Sequence, residues 1–181
     1  MLEKKKILRK IIKVRVSAIS ADEKAKREKL LLDNLFSMPE FLAANTVMLF
    51  ANLPDEIGTF SLIDKCIAMG KKVFLPVING DDMTVAEFTG EYQIGRYGIK
   101  EPSLLTPHSS LLTPNSIDFV LVPGVGFSPN GYRLGRGKGY YDKFLSKHSN
   151  LFTVGVCFRE QFYLDIPREP HDVPMNKVIV C

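Results

Sequence analysis

Apolar residues recur along this chain in two patterns, one suited to amphipathic helices and one to buried strands. From Leu2 to Phe36 the chain reads as helical, with Leu8, Ile11, Ile12 and Val16 at helix spacing among lysines and arginines. Ser20-Ala21-Asp22-Glu23 starts a second helix within that segment. Ser20 is the N-cap candidate, and Glu23 stands where a capping box needs its acid. Short apolar runs then predict strands at Thr46 to Ala51, Val73 to Val77, Met83 to Phe88, Asp118 to Val122, Thr153 to Phe158 and Lys177 to Val180. Phe60 to Met69 reads as a helix ended by Gly70, and Tyr140 to Lys147 as a helix opening after a glycine-rich stretch. Strands alternating with helices imply βαβ units and a mainly parallel sheet covered on both faces. Gly90 to Pro114, rich in Pro, Ser and Thr, reads as one long connection. No internal repeat or low-complexity tract breaks the pattern.

Composition narrows the class. A chain of 181 residues, 45% apolar and 24% charged, suits a soluble globular domain with material for a real core. No apolar run approaches a bilayer span. The basic start, Met1 to Lys6, leads into helix and not into an apolar signal region. Cys66, Cys157 and Cys181 are odd in number and far apart, which argues against a disulfide framework or zinc site and predicts a reducing cytoplasm. The net charge of +4, with a pI near 8.9, suits polyanionic ligands. Zinc-finger spacing, an RNP-like pattern and an interleaved basic and aromatic stripe are all missing, so nucleic acid is not the expected partner.

The candidate chemistry centres on Gly131 to Asp142, reading GYRLGRGKGYYD. Gly135, Gly137 and Gly139 alternate with Arg136 and Lys138, just ahead of a helix start. Glycine amides can close around an anion, and both the cations and the helix N-terminus favour negative charge. The stretch is not a P-loop, because Tyr132 stands where that motif needs glycine and Gly139 follows Lys138. Nor is it a dinucleotide fingerprint, since its spacing is G-x-G-x-G. A merely solvated turn would order three glycines at an entropic cost and hold two cations together with no anion between them. Phosphate binding is the better reading.

Other positions are ambiguous taken singly. Asp142 is either a helix-start acid or a Mg²⁺ ligand. Lys5 and Arg9 share a helix face, as do Lys6 and Lys10, but basic helices are usually just solvated. Glu56 could accept hydrogen bonds from a heterocycle, although Asp55, Glu56 and Thr59 could equally start the next helix. His171-Asp172 lies between Pro170 and Pro174, where Asp172 is either a turn former or a second carboxylate for Mg²⁺. His108 and His148 read as surface residues. No hydrolase triad or Cys/His pairing stands out.

Val122 to Leu145 resembles the signature of the 5-formyltetrahydrofolate cyclo-ligase family, approximately P-G-x-x-F-x-x-x-G-x-R-L-G-x-G-x-G-Y-Y-D. Pro123, Gly124, Phe127, Gly131, Arg133, Leu134, Gly135, Gly137, Gly139, Tyr140, Tyr141 and Asp142 meet its fixed positions. KKILR (Lys5 to Arg9), PDEIGT (Pro54 to Thr59), GIKEP (Gly98 to Pro102) and EQF…IPREPHDVP (Glu160 to Pro174) resemble further landmarks in order. Gly58, often acidic in the family, and Tyr132, often Asn, depart from its pattern.

The resemblance implies one α/β domain over residues 1–181, with a mainly parallel, Rossmann-like sheet, helices on both faces and an N-terminal helical segment. It also implies ATP- and Mg²⁺-dependent conversion of 5-formyltetrahydrofolate to 5,10-methenyltetrahydrofolate, with release of ADP and phosphate. Lys5, Lys6, Ile7, Leu8 and Arg9 would bind ATP, together with Arg133, Leu134, Gly135, Arg136, Gly137, Lys138, Gly139, Tyr140 and Tyr141. Arg136 and Lys138 would carry the catalytic charge. Ala51 and Glu56, with Arg136 to Tyr140, would bind the folate, and Asp142 and Asp172 would hold Mg²⁺. The implied partners are small molecules, the folate polyglutamylated or not, with neither nucleic acid nor membrane, and the implied protein is a cytoplasmic monomer. Two rival readings are a non-catalytic nucleotide- or folate-binding protein of the same fold, and an α/β enzyme acting on sugar phosphates or CoA esters.

Overall fold

In the computed structural model, residues 1–103 and 116–181 are described. The N-terminal segment forms two helices, α1 (Leu2–Ser17) and α2 (Ala21–Phe36), followed by the short α3 (Pro39–Ala43). The Ser20 hydroxyl accepts the Glu23 N–H at 3.2 Å, as its position predicts. The Glu23 carboxylate instead accepts from Arg27 at 2.9 Å, so the expected capping box is made on one side.

The buried stripe of α1 differs from the stripe its apolar residues suggest. Lys5, Ile12 and Val16 are buried, whereas Ile11 is 43% exposed. A helix has one inward face, and here its N-terminal turns bury a cation against polar partners while the later turns bury isoleucine and valine.

Six strands form the main sheet in the order β10-β9-β6-β1-β2-β3. They are β1 (Thr46–Met48), β2 (Lys72–Asn79), β3 (Asp82–Glu87), β6 (Phe119–Val122), β9 (Phe152–Cys157) and β10 (Lys177–Val180). All pairs are parallel except β2 with β3. That edge pair departs from simple βαβ alternation for a local reason. Asn79 pairs with Asp82, leaving only Gly80 and Asp81 to connect the strands, and Gly80 takes φ +61°. A two-residue turn can only make a hairpin, because a parallel return needs a crossover. The expected 90–114 connection also contains structure: β4 (Tyr92–Ile94) pairs antiparallel with β5 (Lys100–Pro102). Residues 104–115, with His108, lie outside the described residues.

Two apolar layers sandwich the sheet. Val47, Leu49, Phe119, Leu121, Val154 and Val156 pack on one face with Ile12, Leu35 and Phe41, and with Leu62 from α4 (Phe60–Ala68). Met48, Phe74, Val120 and Val122 pack on the other face with Phe144 and Leu145 of α5 (Tyr140–Lys147). Alternate residues of β1 and β6 thus face opposite layers, as the strand period of two requires. The continuous hydrophobic strands are the sequence signature of that double burial. Phe127 approaches β9 so closely that a Cβ on Gly155 would lie 2.3 Å from its ring, so that strand position accepts only glycine.

Candidate active site

A cavity of about 610 Å³ opens at the carboxyl ends of β1, β2 and β6. Parallel sheets gather ligands at this edge, where the loops leave the strands. Ala51 lies just past β1, Ile78 near the end of β2, and Pro123 and Gly124 just past β6.

The glycine loop crosses the cavity. It leaves a short hairpin of β7 (Gly126–Phe127) and β8 (Arg133–Leu134) and feeds α5. Gly137 and Gly139 take φ of +104° and +70°, a region that side chains rarely adopt, and Gly139 is the N-cap of α5. Arg9 of α1 ties the loop down, its Nε donating to the Gly135 carbonyl at 2.8 Å. The whole run Arg133 to Asp142 lines the cavity.

Arg136 reaches across to the 53–59 loop. Its guanidinium donates to both oxygens of Asp55, at 2.7 and 3.1 Å, and to Oε1 of Glu56, at 2.9 Å. The other Glu56 oxygen accepts the Leu53 N–H at 2.9 Å. Helix α4 starts at Phe60 without a side-chain cap. Thr59 takes the N-cap position of that helix, as the helix-start reading has it, while Glu56 lines the cavity and Asp55 is held by Arg136. Burial pushes the Glu56 carboxyl above its ordinary value although Arg136 pulls it down. Lys138 also lines the cavity, with its side chain exposed.

Lys5 and Arg9 both line the cavity. Lys5 Nζ donates to Glu169 at 3.0 Å and to Asp172 at 2.9 Å. Lys6 and Ile7 are exposed and Leu8 packs against the core, so these three are not brought to the cavity with Lys5. Arg133 is almost fully buried and donates to Asp142 Oδ2 at 2.9 Å, with its guanidinium over the Tyr141 ring at 5.4 Å. Burial raises the Tyr141 phenol far above its ordinary value. The two departures from the family pattern lie elsewhere: Gly58 sits against the Glu28 side chain, and the Tyr132 ring carries Arg168 at 4.6 Å.

The donor set suits a hard cation. Asp142 Oδ1 is buried without a hydrogen-bond partner, an oxygen left over after Arg133 takes its neighbour. Ligand atoms of Glu169, His171 and Asp172 lie within 4.8 Å of one another, and Asp142, Glu169, His171 and Asp172 all line the cavity. Carboxylate oxygens are what Mg²⁺ prefers. Glu169 was missed, although it lies within the EQF…IPREPHDVP landmark.

Glu101 was also missed, although it lies within the GIKEP landmark. It is 4% exposed, lines the cavity, and its Oε1 accepts the Ile78 N–H at 3.1 Å. His148 is half-buried and not simply superficial, with its ring 4.9 Å from Phe144. The cysteines are all buried, and burial pushes Cys66, Cys157 and Cys181 up to about 11, 12 and 11, so they stay protonated. Among the described residues no helix is long and apolar enough to cross a membrane.

Sheet, cavity and cationic loop together define an α/β protein with a cavity at the carboxyl edge of a mainly parallel sheet, the place where ligands of such folds gather. The 5-formyltetrahydrofolate cyclo-ligase family matches over residues 1–181. A mouse 5-formyltetrahydrofolate cyclo-ligase is 28% identical, covering 97% of this chain and 92% of its own length. One from Mycolicibacterium smegmatis is 32% identical, covering 76% and 74%. The solved structure of Aquifex aeolicus 5,10-methenyltetrahydrofolate synthetase superposes with a TM-score of 0.84 at 30% identity, covering 97% of this chain and 89% of that one. The chain belongs to the 5-formyltetrahydrofolate cyclo-ligase family.

Proposed function

We propose that this chain converts 5-formyltetrahydrofolate to 5,10-methenyltetrahydrofolate, consuming ATP and releasing ADP and phosphate. The observation that carries the reading is convergence: Lys5, Arg9, Glu56, Arg136, Lys138 and Asp142, drawn from distant parts of the sequence, line one cavity. All of 1–181 serves as one catalytic domain, and the reading includes a cytoplasmic monomer whose partners are small molecules.

The chemistry asks the protein for position and charge more than for covalent help. The formyl oxygen attacks the γ-phosphorus and ADP leaves. N10 then attacks the activated formyl carbon and loses its proton, and the carbon–oxygen bond breaks as phosphate departs. Phosphorylation turns a poor leaving oxygen into a good one. Arg136 and Lys138 neutralise the charge that develops on the transferring group, acting in a partly enclosed cavity where such contacts count for more than in water. Arg9 holds the loop in place through Gly135. Glu56 and Ala51 contact the folate. Lys6, Ile7 and Leu8 belong to the nucleotide-binding set on resemblance alone.

Asp142 and Asp172 would hold Mg²⁺, which neutralises phosphate oxygens when bound. The unpartnered Asp142 Oδ1 supports that role. Arg133 fixes the orientation of this carboxylate through Oδ2.

Incubation with 5-formyltetrahydrofolate, Mg²⁺ and ATP should produce an ATP-dependent near-ultraviolet absorbance of the methenyl product. Lys138→Ala should lower turnover by about 10²-fold or more at unchanged stability, the scale of losing one charge-stabilising donor. Folate binding without any ATP-dependent rise would replace the enzyme with a binding protein.

A further inference from the structure

The cavity is chemically two-sided. On the α1 side it presents Lys5, Arg9 and the glycine-loop cations, which suit phosphates. On the side of β2, β3 and β5 it is walled by Pro76, Ile78, Met83 and Ile99. Met83 is the cross-strand partner of Ile78, and Glu101 bonds the Ile78 backbone, so these residues form one wall. Among the described residues, Glu101 is the carboxylate set into that apolar wall.

We propose that Glu101 is a folate-recognition residue, its carboxylate accepting the N3–H and 2-amino hydrogens of the pterin's 2-amino-4-oxopyrimidine edge. The inference rests on the cyclo-ligase reading and adds a specificity determinant to it. A flat heterocycle fits between apolar side chains, and its two parallel N–H donors match the two oxygens of a carboxylate. Among the described residues, Oε1 accepts one hydrogen bond, from Ile78, and Oε2 accepts none.

A carboxylate that is 4% exposed with one neutral donor is costly to keep charged, and burial raises its carboxyl above the ordinary value. Two ligand donors remove that cost. Glu56 is differently placed, because both of its oxygens already take protein donors, one of them cationic. Gly95 supplies the room: a Cβ there would lie 2.1 Å from the Glu101 carboxyl carbon.

Glu101→Gln is the discriminating variant. Its amide oxygen can still accept from Ile78, so a purely structural role survives, while its NH₂ meets the ligand's donors with another donor. Equilibrium binding of 5-formyltetrahydrofolate, read by titration calorimetry, should weaken roughly 10- to 100-fold, the loss expected for a charged hydrogen-bonding partner. The KM for ATP and the melting temperature should hold. Wild type should also discriminate against an analogue lacking the 2-amino group, and the variant should lose that preference. Unchanged folate affinity in the variant, or equal discrimination by both proteins, would overturn the role of Glu101. Because binding is read directly, a wild type that binds folate without turnover would sink the cyclo-ligase reading alone. A wild type that binds no folate would end both.

Discussion

Lys5 holds an ammonium group between Glu169 and Asp172 with 8% of its side chain exposed. Burial is the largest single influence on Lys5 and Asp172 and opposes both charged forms, but the hydrogen bonds and charge attraction around them together outweigh it. They raise Lys5, which Glu169 also holds, and keep the Asp172 carboxyl below its ordinary value. A depressed carboxyl contributes stability above the ordinary Asp range, and that contribution fades as pH falls below about 4. A raised amine contributes below its ordinary value near 10 and loses that contribution as pH rises past it. Lys5→Met should therefore cost about 3 kcal/mol at neutral pH, because it strands a buried carboxylate. The difference from wild type should shrink as urea unfolding is repeated from pH 6 down to pH 3. An equal cost at both ends would show that the helix needs the length of the side chain and not its charge. The sequence made Lys5 a candidate through resemblance alone. Its partners lie 164 and 167 positions away, and no local pattern encodes such a pairing.

Among the elements, α1 shows what hydrophobic periodicity reveals and what it hides. Leu8, Ile11, Ile12 and Val16 suggest an apolar face, yet the buried line runs through Lys5, Ile12 and Val16 and leaves Ile11 outside. A helix that places one end at a polar cavity and the other on a core cannot carry a uniform stripe. Ile12→Ala should lower unfolding free energy by about 2–4 kcal/mol and Ile11→Ala by less than about 0.5 kcal/mol in denaturant titrations. Comparable losses would mean that the helix packs on a different face. The β2–β3 hairpin shows a further limit. Its turn residues, Gly80 and Asp81, lie inside the gap between the expected strands Val73 to Val77 and Met83 to Phe88, and only the observed pairing of Asn79 with Asp82 excludes a parallel return. The β4–β5 pair was harder to see, because its strands are three residues each and only partly apolar.

At the scale of the whole molecule, the parallel strands could be read because both of their faces are buried. Continuous runs such as FVLV at Phe119 to Val122 have no solvent side to interrupt them. The position of the cavity could be read as well, since the glycine loop lines it. The use of the charges could not, because ion pairs across the cavity join α1 to the 169–172 loop and the glycine loop to residues 55 and 56. A cavity walled by so many separate segments should tighten the entire fold when filled. Mg²⁺ and ATP at a hundred times their dissociation constant should stabilise the native state by about 2.7 kcal/mol, raising the melting temperature by roughly 5–10 °C. Arg136→Ala should cut that rise at the same ATP concentration, and an undiminished rise would remove Arg136 from the nucleotide site.

The grip of Arg136 on Asp55 and Glu56 has one more consequence. An incoming anion does not meet a free cation there, because two carboxylates are already seated on it. On the proposed function, Arg136 would work as an ion exchanger with a threshold. Chloride or a carboxylate metabolite, with one charge to offer, would leave the exchanger loaded, whereas a polyphosphate that also engages Arg9 and Lys138 would unload it. Glu56 would then lose its counter-ion as the nucleotide arrives, so whatever the freed acid binds would be linked to ATP, and by reciprocity ATP to it.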